Sequence, residues 1–201
     1  MRVSQGQGEL FSRNNLFWEF PQSNKKPSLN KEFLEGWQEK IYSHQTRFFQ
    51  NLESSNIQTS LFDKEENNND LIEKFKPLKL TPLPLNFWRF AHQPQRGQAI
   101  YIVMDKLDTY QKFIILYIGE TFAAEQRWKG DHDCKIYLDN YCGALQKVGI
   151  RNQISIRFWN DVPQNTIARR RLEQDLIQRW CPPFNKETRA RWQTPFTTEI
   201  N

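Results

Sequence analysis

The chain is poor in cysteine. Its 201 residues hold three, Cys134, Cys142 and Cys181, and no two of them form a CxxC pair. An odd count without paired spacing excludes a disulfide framework and points to a reducing compartment. His132 and Cys134 stand close together, but two potential ligands do not make a zinc site. No apolar run approaches the roughly 18 residues of a membrane span. The opening Met1-Arg2-Val3-Ser4-Gln5-Gly6 lacks the apolar core of a secretory signal. These absences predict a soluble, cytoplasmic protein. No internal repeat is visible at a spacing of about 20 to 50 residues, which argues against a solenoid.

What is present is bulky and basic. Hydrophobic content is a modest 38%, yet 15 Phe, 7 Trp and 6 Tyr supply core material. The length allows one full domain with an appendage, or two small domains. A formal charge of +5 and a pI near 9.1 fit an acidic partner, for which a polyphosphate backbone is the usual candidate. The same charge is equally compatible with no anionic partner.

The first 27 residues are polar. From about Ser28 to Leu52, Phe33, Trp37, Ile41, Phe48 and Leu52 fall on one face at helical spacing, so a helix is expected there. Its wide aromatic stripe must pack on the rest of the chain or on a partner. Residues 63–74 carry Asp63, Glu65, Glu66, Asp70 and Glu73 around an Asn67-Asn68-Asn69 run and read as a linker. Pro77, Pro82 and Pro84 keep the next segment extended. A boundary near residue 95 then divides an N-terminal extension, 1–94, from a C-terminal domain, 95–201.

The C-terminal pattern is sharper. Ala99 to Asp105 and Phe113 to Gly119 are rich in β-branched and aromatic residues and read as a hairpin. Thr121 is expected to N-cap a short helix reaching about Lys129. Tyr137, Tyr141, Ala144, Leu145 and Val148 mark a second helix. Ile154, Ile156 and Phe158 alternate with Ser155, Arg157 and Trp159 as a strand with one buried face. A last helix runs from about Ile167 to Trp180 and is stopped by Pro182 and Pro183. This order predicts an α+β fold, a small three-stranded antiparallel sheet flanked by helices.

Several side chains in this half could carry chemistry. Alternate strand residues share a face, which sets Tyr101 on one surface with Tyr117 and Gly119 if the hairpin pairs in register. A phenol can hold a water and, in a suitable field, take its proton; strands also collect tyrosines for packing. Arg127 follows the hairpin, and its planar fork fits a phosphate or lies on an ordinary surface. Glu173 borders the stripe of the last helix, where a half-buried carboxylate needs a cation. Magnesium would serve, and so would one of the neighbouring Arg169, Arg170 and Arg171. Asn185 ends a proline-stiffened turn that fixes its amide. The segment 161–191 holds seven basic residues against four acids, a phosphate-contacting surface or a solvated helix face.

Taken together, Ala99-Ile100-Tyr101, Tyr117-Ile118-Gly119, Arg127, Leu172-Glu173 and Pro182-Pro183-Phe184-Asn185 resemble, in order and spacing, the GIY-YIG nuclease family. The resemblance covers Ala99 to Asn185. It implies a metal-dependent endonuclease that hydrolyses DNA phosphodiester bonds with Mg2+ or Mn2+, in the cytoplasm and associated with the nucleoid. By the same resemblance Tyr101 and Tyr117 position or deprotonate the attacking water, Arg127 steadies the phosphate, Glu173 binds the metal and Asn185 supports the site. Gly119 closes the second motif. Arg169, Arg170, Arg171 and Lys186 would contact the nucleic acid. The chain departs from the pattern at Ala99, which replaces a glycine. Where many members carry a histidine or tyrosine it has Asp131, with His132 next. The alternatives are a catalytically silent nucleic-acid-binding module and a protein-interaction adaptor built on the aromatic helix.

Two short patterns stand apart, Gln7-Gly8-Glu9-Leu10-Phe11 and Gln58-Thr59-Ser60-Leu61-Phe62. Both read Gln-x-x-Leu-Phe and are similar to the peptides with which bacterial proteins dock on the replication sliding clamp, where an extended segment fills a preformed groove.

Overall fold

The run Ala99–Lys106 forms β1, and every side chain from Ala99 to Asp105 is buried. A strand buried on both faces has packing layers on either side of its sheet. In the computed structural model, which describes residues 29–54, 68–89, 95–107, 112–130 and 132–196, β1 lies between β2 (Phe113–Thr121) and β3 (Ile154–Trp159). Both pairings are antiparallel. Helices α1 (Lys31–Ser54), α2 (Asn68–Lys74), α3 (Ala124–Arg127), α4 (Asp133–Lys147) and α5 (Thr166–Trp180) flank the sheet. The expected α+β architecture is present.

Alternation in β1 divides the core. Ala99, Tyr101 and Val103 face one layer, with Trp37 and Ile41 of α1 and Leu138 and Tyr141 of α4. Ile100, Ile102 and Met104 face the other, with Leu71 of α2 and Leu172, Leu176 and Trp180 of α5. In β2 the register passes from Val103↔Tyr117 to Met104↔Ile115 and leaves Leu116 as a bulge residue. The bulge reverses the alternation, so Ile114 and Tyr117 both turn toward the α1–α4 layer.

The aromatic helix packs on its own chain. Leu34, Trp37 and Ile41 sit in the first layer and Phe49 in the second, so α1 runs along the outer edge of β2. Phe33 and Phe48 are only half-buried, whereas Gln38 and Gln45 lie inside. The Leu52 side chain lies outside the described residues. Gln38 Nε2 donates to the Tyr141 hydroxyl (2.6 Å), which donates to Asp105 Oδ2 (2.8 Å). Asp105 Oδ1 accepts from the Gln153 amide at 2.8 Å. Burial pushes this carboxyl up to about 6.

Three expectations are corrected. Part of the linker, Asn68–Lys74, is helical, because Leu71 and Phe75 are buried against the second layer and Glu73 pairs with Arg179 at 3.1 Å. β3 is buried on both faces rather than one. Phase-opposite Trp159 packs on Phe75, and Arg157 Nη1 donates to the carbonyls of Pro77, Leu78 and Leu80. Thr121 caps no helix: it ends β2, and its hydroxyl accepts from the Ala123 amide at 3.1 Å. The two Gln-x-x-Leu-Phe peptides and Asp131 lie outside the described residues. Among the described residues no helix is long and apolar enough to cross a membrane.

Candidate active site

An edge strand leaves half of its backbone groups without a strand partner. Along β2, side chains take that place. Gln45 Oε1 accepts from the Ile115 amide (2.7 Å) and its Nε2 donates to the Ile115 carbonyl (3.0 Å). The Leu116 carbonyl accepts from the Phe184 amide. Asn185 repeats the amide clamp at Ile118, accepting at 3.0 Å and donating at 2.8 Å. Two residues further along, the Glu120 amide donates to Glu173 Oε1 at 3.0 Å. Glu173 and Asn185 therefore stand side by side on one strand edge.

Local sequence explains how they arrive there. Asn165 caps α5 by accepting from the Ile167 and Ala168 amides, which fixes where the helix starts. Cys181 ends it in the left-handed region at φ 46°. Pro182 and Pro183 then forbid continuation and carry Asn185 back to β2. Asn185 is buried, and both ends of its amide are committed to Ile118. It works by holding the peptide between Tyr117 and Gly119.

The two tyrosines meet as expected, although not as direct partners. Tyr101 opposes Gly119 and Tyr117 opposes Val103, so the rings stack diagonally with centroids 5.9 Å apart. Arg127 Nε donates to the Tyr101 hydroxyl at 3.1 Å. His132 Nε2 lies 3.0 Å from the same hydroxyl, and His132 Nδ1 accepts from the Cys134 amide at 3.1 Å. Arg127 Nη2, which can only donate, lies 2.9 Å from the same Nε2. Arg127 Nε thus donates to the Tyr101 oxygen, and the Tyr101 hydroxyl donates in turn to Tyr117. Burial and the adjacent Arg127 charge lower His132 to about 4, so the ring is uncharged near neutral pH. Burial raises Tyr101 well above its ordinary range and Tyr117 to about 12, the latter offset in part by the hydrogen bond from Tyr101.

A cavity of about 400 Å³ opens on this cluster. Tyr117, Arg127, His132, Glu173, Asn185 and Lys186 line it. Tyr101 and Gly119 do not reach it. Tyr101 has no exposed surface and can act only through Tyr117, Arg127 and His132. No match to a protein-family model, a curated protein or a solved structure was found for the chain. The chemistry therefore rests on the cavity's own atoms.

Glu173 carries no ion-pair partner among the described residues: of the three neighbouring arginines, Arg169 and Arg170 are engaged elsewhere and Arg171 is exposed. Arg169 Nε meets Glu120 Oε2 at 2.9 Å, and Arg170 Nε meets Glu120 Oε1 at 3.1 Å. Burial, with the charges of Glu120 and Glu187, raises the Glu173 carboxyl to about 7 despite the Glu120 amide. Such a carboxylate gains from any cation the cavity admits. No cluster of three or more metal-ligating side chains occurs among the described residues. The donor set is one carboxylate beside an open cavity, which fits a hard ion that keeps most of its waters.

The predicted nucleic-acid contacts divide. Arg170, Arg171 and Lys186 are exposed. Arg169 is 1% exposed, and its fork is committed to Glu120 and the carbonyls of Pro163 and Gln164. It clamps the start of α5 and reaches no surface. Sequence reasoning missed Glu120, which organises those arginines and whose amide holds Glu173. It also missed Gln45, whose polar side chain in an aromatic stripe was the available signal.

Proposed function

We propose that the protein is a metal-dependent endonuclease of the GIY-YIG type that hydrolyses DNA phosphodiester bonds with Mg2+ or Mn2+. The observation that carries this reading is the half-buried Glu173 carboxylate, without an ion-pair partner among the described residues, in a cavity shared with Tyr117, Arg127 and His132. A structural salt bridge would have given it an arginine; Arg169 and Arg170 serve Glu120 instead, and Arg171 is exposed.

In this reading Tyr117 is the phenol that touches the attacking water. At about 12 it is uncharged near neutral pH, so it holds and orients the water by accepting its O–H. Tyr101 stands behind it and fixes the direction of that lone pair. Arg127 keeps its charge at every working pH and steadies the phosphate, while its Nε remains on Tyr101. Glu173 would hold the divalent ion, which when bound supplies positive charge against the phosphate and the leaving oxygen. The water oxygen forms a bond to phosphorus as its proton passes to solvent, one P–O ester bond breaks with its electron pair on the leaving oxygen, which takes up a proton from solvent, and one strand is cut per site. Arg170, Arg171 and Lys186 supply sequence-independent phosphate contacts.

The adaptor alternative weakens, since Trp37 and Ile41 of the α1 stripe are buried in the chain's own core. Incubation of supercoiled plasmid with Mg2+, Mn2+ or EDTA, beside Glu173→Ala, tests the reading. Metal-dependent nicking absent from the variant is expected. Nicking that persists in the variant overturns the assignment, and DNA binding without nicking by either protein favours the silent binding module.

A further inference from the structure

Phe122 is 76% exposed, yet its backbone is firmly held. The preceding Thr121 hydroxyl accepts from the Ala123 amide at 3.1 Å. The Ala124 amide donates to the Gly97 carbonyl at 2.8 Å, and the Gly97 amide donates to Glu125 Oε2 at 3.1 Å. Ala123 and Ala124 are buried. An aromatic ring is therefore presented to solvent on a stiff turn, between the strand end that fixes Glu173 and the helix that carries Arg127.

A second element adjoins it. Ile167, 80% exposed, shares a face of α5 with Arg170 and Arg171, at i+3 and i+4. The ion pair of Arg170 with Glu120 ties that face to β2 two residues before Phe122. Glu120 thus joins this helix face, through Arg170, to the strand end whose amide holds Glu173. Cations interleaved with a fixed aromatic ring suit a polyanion with unstacked bases, because every base offers a π-face and the phosphates answer the arginines.

Building on the nuclease reading, we infer that Phe122 is a stacking platform for an unpaired DNA base next to the scissile phosphate, with Arg170 and Arg171 on the flanking phosphates. The enzyme then prefers forked or frayed DNA to continuous duplex.

The test uses the full chain in EDTA, so that nothing is cut. Fluorescein-labelled forked DNA and a fully paired duplex of equal length are titrated by anisotropy with wild type, Phe122→Ala and Phe122→Trp. Wild type is expected to prefer the fork. Phe122→Ala should lose about tenfold on the fork and change by no more than about twofold on the duplex, as expected for one stacked base. Phe122→Trp should keep the preference, and all three proteins should melt alike because the ring is exposed. An unchanged fork affinity in Phe122→Ala, or an equal loss on both DNAs, overturns the assignment. If that happens while wild type still cuts DNA with Mg2+, only Phe122 is reassigned. If wild type binds neither DNA, the nuclease reading falls with it.

Discussion

The ring of Tyr101 lies directly against the Cα of its cross-strand partner Gly119, in the space that a methyl group at that position would occupy. The glycine is required by the neighbour's ring and not by its own backbone angles. Any side chain there must drive Tyr101 out of its contacts with Arg127 and His132.

Gly119→Ala is accordingly expected to fold and to bind DNA while cutting about 100-fold more slowly, the scale of loss that follows a displacement of roughly 1 Å in a catalytic cluster. Single-turnover rates at saturating enzyme check this. A rate within a few-fold of wild type would mean that the position of Tyr101 is immaterial.

Glu173 should weaken the fold when it ionises. Its carboxyl is raised from 4.5 to about 7 in the native state. The unfolded chain therefore loses this proton first, and stability falls as pH rises from about 4.5 to about 7. Above that window Glu173→Gln should be more stable than wild type by something on the order of 2 kcal/mol, and near pH 4.5 the two should converge. Urea melts with chelator at both pH values read this. An equal gain at the two would assign the effect to something other than ionisation.

Asn185 makes two hydrogen bonds to the backbone of one buried residue, Ile118, so its loss strands both an amide and a carbonyl. Asn185→Ala should cost about 2–4 kcal/mol. Asn185→Asp keeps the acceptor but sets an oxygen against the Ile118 carbonyl, and should be no better. Thermal melts decide. A small cost for Asn185→Asp would show that the carbonyl finds another donor.

Arg169 and Arg171 are two positions apart and should behave as opposites. Removing the buried Arg169 leaves Glu120 without its best-shielded partner, and Arg169→Ala is expected to cost about 3–5 kcal/mol. Arg171→Ala should leave stability unchanged and reduce the slope of log affinity against log salt by about one. Melting curves and salt titrations of DNA binding separate the two. A normal melt for Arg169→Ala would contradict the clamp.

That contrast marks what the sequence can reveal. Three successive arginines look alike on paper, and only the position of Glu120 withdraws Arg169 and leaves Arg171 outside. The hairpin was legible because Ala99–Asp105 and Phe113–Gly119 are rich in β-branched and aromatic residues, and the end of α5 because Pro182 and Pro183 stop it. The bulge at Leu116 was not, since nothing in the run Phe113–Thr121 marks which residue is skipped. β3 was read as one-sided because Arg157 breaks its pattern; the carbonyls that receive this arginine come from residues 77–80, far away in the chain. The stretch 68–74 looked like linker because its charge hides two anchors, Leu71 and the adjoining Phe75. Of the site, the residue types and order were visible. The distinction between Tyr117, which lines the cavity, and Tyr101, which works through its neighbours, depends on burial and register.

The central claim is that Glu173 holds the divalent ion used in cutting. Single-turnover cleavage of one labelled DNA, followed against Mg2+ concentration at pH 6 and pH 8 for wild type and Glu173→Gln, measures it most directly. Wild type should need more Mg2+ at pH 6, where a proton competes for the carboxylate, and Glu173→Gln should cut at least about 100-fold more slowly at every Mg2+ concentration while binding the DNA normally. A Glu173→Gln protein that cuts at the wild-type rate, or a Mg2+ requirement that does not change with pH, would contradict it.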